Sequence, residues 1–463
     1  MSDEGSDPAR RGKHPKNGAP VRLCSLSSAV VAIAVVSIAT APRLAGAQAL
    51  AQRISRAPDG VVHIQFASRN GTCGNGRDLI GYRKALFAAS FQSMGSWHSE
   101  DCRPGAIMVT LTVSDGKPVR ARTTVGGAWA STSERVTDLG SVNPTEAADY
   151  FFSLVPVLEK AGEKSRVLLP AVLADAGDAT PQLTAIAKDA TRAQETRRQA
   201  IQWLGLLGDA KVVSTLVAFA REGGAGPSGQ DIDEGEAAPG KNGLGTAAMA
   251  ALSFIENGVG VPALMDLARN GPAWTRRAAV FWLGQTGDPR AIATLHGVIE
   301  NTNEDQRIRA HAIFSLSHGD EVPAAEFAYL RNIFPRLGND KLRDAVLMGM
   351  ASDESNGSAW LLERARDTRE SMHVRKQALF WAGQRDLTPT RELASFYRSA
   401  SEASLKEHAI FVLSQRRDEA AFNELMRIAR EDSDKRMRSR ALFWLGQKDD
   451  PRVAKLIEER ISR

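Results

Sequence analysis

The chain is 463 residues long, 43% hydrophobic and 24% charged, which is ordinary for a folded protein and fits either several domains or one long array. Its formal charge of +5 falls to about +2 once residues 1–47 are set aside, because six Arg/Lys and three Asp/Glu lie there. A nucleic-acid partner therefore lacks the basic surface that would attract it, and none is expected.

Residues 1–20 are polar and carry Arg10, Arg11, Lys13 and Lys16, and Leu23–Ala41 is almost wholly apolar. Ala45-Gly46-Ala47 follows as a small-x-small cleavage site, which makes Gln48 the expected first mature residue. The apolar run is nearly long enough to span a bilayer, so a cleaved signal peptide and an uncleaved N-terminal anchor both fit residues 1–47. In either case the rest of the chain is expected outside the cytoplasm, periplasmic or secreted, with membrane contact only if the leader is kept. Cys24 lies inside the leader, and Val21-Arg22-Leu23 before it forms no lipoprotein box. Cys73 and Cys102 remain, an even pair in an oxidising compartment, and a disulfide between them is expected. Such a bridge adds about 3 kcal/mol on the chain-entropy account.

Residues 58–130 read as a small α+β domain. Val62, Ile64 and Phe66 alternate with Val61, His63 and Gln65, the pattern of a half-buried strand. Ile107–Val113 and Val119–Val125 alternate likewise around Asp115-Gly116, a hairpin signal. A short helix is expected near Asp78–Ser90. Residues 131–143 are polar and read as a linker, and 144–164 as a helix capping the open end of a C-terminal repeat array.

From residue 165 to the C-terminus one pattern recurs: basic-x-x-Ala, three apolar residues, then a small one. It reads Arg276-Arg277-Ala278-Ala279-Val280-Phe281-Trp282-Leu283-Gly284 in one repeat and Arg438–Gly446 in another. Taken as a ruler, the alanine falls at Ala200, Ala248, Ala279, Ala312, Ala345, Ala378, Ala409 and Ala441, at intervals of 48, 31, 33, 33, 33, 31 and 32 residues. A fixed period of this size means stacked supersecondary units. A degenerate repeat beginning near Ser165 precedes them. Each unit reads as two helices: Gly205, Gly284, Gly383 and Gly446 sit where a left-handed C-cap would fall, and Asp209, Asp288-Pro289, Thr388-Pro389 and Asp450-Pro451 where the next helix would start. The long interval comes from residues 222–242, rich in Gly, Pro and acids, which read as a flexible loop.

These motifs resemble HEAT-type repeats of the phycobilin-lyase-like variety over about residues 165–463. The resemblance implies a mainly α protein, a right-handed α-solenoid of about nine HEAT-like helix pairs preceded by the small α+β domain. It also implies that the basic column at Arg197, Arg276, Arg309, Arg375, Lys406 and Arg438, with Glu195, Asp305, Glu370, Glu402 and Asp434 in step, forms an inter-repeat ion-pair ladder. Iron-binding hydroxylases built from similar repeats depend on His-Glu dipeptides, whereas here Glu407-His408 is reversed and single.

Phe281-Trp282, Phe380-Trp381 and Phe443-Trp444 are expected in the core, since adjacent helical residues point about 100° apart and cannot all line one groove. His98 and Glu100 beside Cys102 read as surface loop, and Gly71–Gly76 lacks the Lys-Ser/Thr of a phosphate loop. No catalytic residue, metal or cofactor is expected. The function expected is an exported protein-binding scaffold whose small domain and inner solenoid surface hold a protein or peptide partner, with the second helices and the inter-repeat loops (Gln285, Gln384, Gln447 and the 222–242 loop) as contacts. The alternative, drawn from the resemblance alone, is a lyase or oxidoreductase-type accessory protein.

Overall fold

The computed structural model describes residues 41–83, 85–87, 102–162, 166–222, 243–318, 322–384 and 388–461. The leader before residue 41, the 223–242 part of the insert, His98 and Glu100 lie outside them.

The N-terminal module is built on strand alternation. Helix α1 (Ala41–Ser55) is followed by β1 (Gly60–Phe66), the short strands β2 (Thr72–Gly74), β3 (Ile80–Tyr82) and β4 (Ala85–Phe87), and then β5 (Ile107–Ser114), β6 (Lys117–Val125) and β7 (Val136–Ser141). The main sheet has the order β6-β5-β1-β7, and β2-β3-β4 form a second sheet. The β5–β6 hairpin turns at Asp115-Gly116, both with positive φ, which the primed turn of a two-residue hairpin demands. Val62, Ile64 and Phe66 face inward with Val109 and Leu111, and they meet Leu50 and Ile54 of α1 in one core. Helix α1 thus runs through the expected cleavage site and buries Leu50 and Ile54 of its C-terminal half.

Two expectations are corrected here. Residues 131–143 are not a linker: β7 pairs in parallel with β1, with Val61 opposite Val136 and His63 opposite Asp138. The second edge of β1 needs a partner for its backbone, and a short polar strand supplies it without apolar alternation. Residues 80–87 are not helical but form the β3–β4 hairpin, with Tyr82 opposite Ala85. Helix α2 (Pro144–Lys160), capped by the Asn143 side chain, lies between sheet and solenoid. Its Phe151 ring sits 6.0 Å from Phe66. A disulfide joins Cys73 of β2 to Cys102, 29 residues on.

The solenoid follows as helix pairs: α3 (Leu169–Leu173) with α4 (Thr180–Lys188), α5 (Gln194–Leu207) with α6 (Ala210–Glu222), α7 (Leu244–Phe254) with α8 (Val261–Asn270), and α9 (Ala273–Gly284) with α10 (Pro289–Glu300). Next come α11 (Gln306–Ser317) with α12 (Ala324–Ile333), α13 (Asp340–Met350) with α14 (Gly357–Arg366), α15 (Met372–Ala382) with α16 (Thr390–Ser399), α17 (Ala403–Gln415) with α18 (Glu419–Glu431), and α19 (Lys435–Leu445) with α20 (Pro451–Ile461). The odd-numbered helices from α5 to α19 carry the ruler alanines, all of them buried where consecutive ruler helices stack. Asp209, Asp288, Asp418 and Asp450 cap the second helices as N-cap side chains do. Thr388 does not, and α16 begins at Thr390.

The repeat glycines have a different cause from the one expected. Gly383 and Gly446 have φ of −81° and −63°, and Gly205 and Gly284 lie within their helices. A Cβ on Gly205 would stand 2.6 Å from the Ala251 Cα, and one on Gly284 2.6 Å from the Ser315 Cβ, each in the next ruler helix. Close helix approach, not a left-handed cap, requires them. Gly446, in the last repeat, would meet only carbonyls of its own helix.

Arg69 fixes the module to the first helix pair. Its backbone N–H donates to Leu173 O at 2.7 Å, and its guanidinium donates to the carbonyls of Val172, Ala176 and Gly177.

Candidate functional site

On a helix, positions one before and two, three and six after a given residue share one broad face. Counted from the ruler alanine, that face bears Phe281, Trp282 and Gln285 on α9 and its end, His311, Phe314 and His318 on α11, Phe380, Trp381 and Gln384 on α15, His408 and Phe411 on α17, and Phe443, Trp444 and Gln447 on α19. These side chains are half-buried or exposed, up to 52% for Phe443. Of the pairs expected in the core, Trp282, Trp381 and Trp444 do pack against it, while Phe281, Phe380 and most of all Phe443 turn toward the surface. Residues two and three after the alanine point about 100° apart yet flank one exposed arc, because ruler helices are covered by their neighbours and second helices but not on this side.

The rings touch from repeat to repeat. Phe254 at the end of α7 lies 5.9 Å from Trp282, Trp282 5.2 Å from Phe281, and Phe281 6.0 Å from His311, which continues through Phe314 to His318. A second run joins Trp381, Phe380, Phe411, Trp444 and Phe443 at 5.2–6.3 Å. Half-buried Met348 of α13 stands between the two runs. Burial, with Arg277 nearby, pulls the His311 pKa down to about 4. Burial lowers His408 too, with Lys376 adding to it.

At its N-terminal end the strip is already occupied. Trp203 of α5, three after Ala200, is 3% exposed because the β3–β4 hairpin covers it, with the Tyr82 ring 5.7 Å away. Arg83 donates through Nη1 to Leu206 O at 3.0 Å and pairs with Glu256 at 2.9 Å.

The basic column lies elsewhere on the ruler helices. Arg197, Arg309 and Arg375 each donate through Nε to a carbonyl ten residues earlier, at Ala187, Ile299 and Ala365, at the end of the preceding second helix. Arg276 and Arg438 donate through Nη1 to Gly271 O and Asp432 O, the residues just past the preceding second helices. Such carbonyls lack intrahelical donors, and a guanidinium satisfies them. Two column members also reach forward one repeat, Arg276 to Glu304 and Arg375 to Glu402, both at 2.8 Å. Arg343, one place off the column, does likewise to Glu370 at 2.6 Å. The Lys406 ammonium rests 5.3 Å over the Tyr397 ring. Asp305 and Asp434 cap their own helices, and Glu195 pairs with Arg198 in its own helix.

Two other clusters are internally satisfied. His296 Nε2 lies 2.7 Å from Glu326 and its ring stacks on Tyr329, whose hydroxyl donates to Glu300. His63 lies beneath Trp129 at 3.9 Å, and burial lowers its pKa against the raising effect of Asp138. Among the described residues no three His, Cys, Asp or Glu side chains converge as metal ligands would.

Residues 261–351, from α8 through α13, match the family model for HEAT repeats. The fold is a HEAT-repeat solenoid carrying an α+β module at its N-terminal end. No curated protein matches the chain. Among solved structures it is similar to Kap121p, with 12% identity over 65% of this chain and 39% of that one and a TM-score of 0.35. It is also similar to the CpcE–CpcF complex of phycocyanin lyase from Nostoc sp. PCC7120, with 15% identity, 58% and 94% coverage and a TM-score of 0.25. Human deoxyhypusine hydroxylase in complex with glycerol gives 14% identity, 58% and 96% coverage and a TM-score of 0.23. The chain spans 39% of the length of Kap121p. No activity follows from likeness at this level.

Proposed function

We infer that this chain is an exported, non-catalytic protein-binding scaffold that holds a polypeptide partner along the aromatic strip of its ruler helices. The observation that carries the reading is the strip itself: linked Phe, Trp and His rings, half-buried or exposed, running across the repeats and bordered by Gln285, Gln384 and Gln447. Contiguous aromatic surface on a solenoid supports partner docking, where large rings combine apolar area with low conformational cost. Export rests on the leader pattern of residues 1–47 and on the Cys73–Cys102 bridge, which suits an oxidising compartment.

The test is site-specific photo-cross-linking in native envelopes. Probes at Gln384 and Gln447 are expected to yield discrete protein adducts that vanish in a Phe380→Ser/Phe411→Ser variant with an unchanged circular-dichroism spectrum. Adducts that persist unchanged in that variant, or arise only from probes on the second helices, overturn the reading. N-terminal sequencing of the mature chain checks export: a start at Gln48 is expected, and an intact Met1 in a cytosolic fraction rules export out.

A further inference from the structure

We propose that the strip carries two equivalent docking subsites three repeats apart, each holding an aromatic side chain with a carboxylate beside it, and that one extended partner segment occupies both. The proposal rests on the docking of a polypeptide along the strip and adds the chemistry and spacing of the occupant. Its basis is a duplication within the strip. On α9 and its end the strip face carries Arg277, Phe281, Trp282 and Gln285, and on α15 and its end Lys376, Phe380, Trp381 and Gln384. Each residue of the first set lies 99 residues before its equivalent, the separation of Ala279 from Ala378. The next ruler helix completes each set with a histidine and a phenylalanine, His311 and Phe314 on α11, His408 and Phe411 on α17. Helix α13, between the sets, breaks the pattern with Leu347, which is fully buried, and Met348. Helix α19 repeats the rings but has Ser439 in place of the cation.

The two sets share their geometry. Phe281 lies 5.2 Å from Trp282 and 6.0 Å from His311. Phe380 lies 5.2 Å from Trp381 and 6.3 Å from Phe411, which is 5.6 Å from His408. All these rings are half-buried, so each set is an apolar patch open on one side. The cation stands four residues before the phenylalanine, one turn away on the same face. It also stands beside the histidine of the following repeat, Arg277 by His311 and Lys376 by His408, and burial followed by that cation keeps both imidazoles uncharged at neutral pH. At the same repeat position Arg198 and Arg343 pair with Glu195 and Glu370, whereas Arg277 and Lys376 form no such ion pair among the described residues. Asp305 lies near Arg277, but it caps α11 at the Arg307 N–H, and the like charge of Arg307 adds to the patch. Glu407, next to His408, is held by Arg436 and Arg440.

A half-buried cation without a carboxylate of its own, one turn from open rings, is complementary to an acidic group next to an aromatic one and repels a basic group. The glutamine amide at the end of each set supplies a donor and an acceptor for a backbone crossing it. Three steps between stacked helices, about 8–10 Å each, separate the subsites by about 24–30 Å. An extended segment rises about 3.3 Å per residue, so about seven to nine residues bridge them. Joining two elements makes the second docking intramolecular, which raises affinity only when the joining segment spans that distance.

The probe is a Gly-Ser peptide carrying two Phe-Glu elements about eight residues apart, titrated into the full chain. The indole N–H resonances of Trp282 and Trp381, assigned with Trp282→Phe and Trp381→Phe chains, are expected to move together and saturate at one peptide per chain. Affinity should exceed that of a peptide with a single element by about tenfold or more, and the gain should vanish when the elements stand only about four residues apart. The Phe-Lys counterpart should bind at least about tenfold more weakly. Arg277→Glu/Lys376→Glu is expected to reverse the preference toward the Phe-Lys peptide, a gain that only a folded chain can show. Equal affinity of one-element and two-element peptides, equal binding of the Phe-Lys peptide, no saturable shift, or an unchanged preference in the doubly substituted chain with a wild-type circular-dichroism spectrum overturns the proposal. If native adducts at Gln384 are lost in Phe380→Ser/Phe411→Ser while no peptide binds, the docking reading stands and this inference alone falls.

Discussion

The Arg375 guanidinium donates through Nη1 to the Glu402 carboxylate at 2.8 Å, 27 residues on and one repeat further along the solenoid. Through Nε the same group closes the end of α14 at the Ala365 carbonyl, 3.1 Å away. One side chain, 6% exposed, thus ties α14, α15 and the start of α17 together. Nearest-neighbour coupling of this kind makes a repeat array behave as one body and not as separate pairs.

Replacing Arg375 with Ala is expected to cost about 1–3 kcal/mol at neutral pH, since a buried carbonyl and a carboxylate both lose their donor. The guanidinium holds the Glu402 carboxyl down at about 2, against 4.5 in the unfolded chain. A depressed carboxylate pKa stabilises the fold above the unfolded value and loses that contribution as pH falls toward the folded one. The gap in melting temperature between wild type and Arg375→Ala should therefore narrow between about pH 4.5 and pH 2. A gap that stays constant over that range would show that the ion pair contributes nothing beyond packing.

The repeat was legible because its period is carried by the ruler alanines, which are buried whatever surrounds them: Ala200, Ala279 and Ala441 are fully enclosed. What depends on a neighbour distant in sequence was not legible. Trp203 and Trp444 occupy the same repeat position, yet one is covered by Tyr82 and the other is half-exposed. Nothing local separates them. β7 was hidden for the same reason: Val136–Ser141 is a strand only because β1 offers an unpaired edge. The three glutamines were singled out from their place after the helix, and the rings that share their face became visible as surface only once the helices were stacked.

The repeat glycines can be tested against one another. Gly205→Ala drives a methyl into the Ala251 backbone and is expected to cost about 1–3 kcal/mol, as overpacking does. Gly297→Ala, inside α10 with nothing within 4 Å, is expected to stabilise by about 0.5–1 kcal/mol through helix propensity. Gly446→Ala should fall near neutral, because a methyl there would meet only the Leu442 and Phe443 carbonyls of its own helix at an ordinary 3.5 Å. Thermal unfolding of the three variants checks the order, and a large loss at Gly446 would contradict the close-approach explanation.

The disulfide links stability to strip coverage. Cys73 pairs with Gly81 on β3, next to the Tyr82 that covers Trp203. Cys102→Ser is expected to destabilise the N-terminal module by about 3–4 kcal/mol for a 29-residue separation on the chain-entropy account. It should also loosen the hairpin. Acrylamide quenching attributable to Trp203, taken as the difference from a Trp203→Phe chain, is expected to rise, with little change in the remaining tryptophans. Unaltered Trp203 quenching would mean that the hairpin holds its place without the bridge.

His311 gives the strip a pH response of defined sign. Its ring lies 6.0 Å from both Phe281 and Phe314, and burial followed by Arg277 lowers its pKa to about 4, from 6.5. Between those values the unfolded chain binds a proton that the folded chain does not, so stability falls as pH drops from about 6.5 to about 4 and levels off below. His408 acts in the same direction. The depressed carboxylates Glu402, Asp367 and Asp450, each at about 2, act below about pH 4.5 and leave the upper window to the histidines. His311→Phe removes one of these protonation sites and keeps a ring in the stack. Its melting temperature should decline less than that of wild type between pH 6.5 and 4.5, and His311→Phe/His408→Phe should decline less still. Parallel curves for all three chains would mean that His311 is solvated in the folded state and that the strip is more open there than its half-buried rings imply.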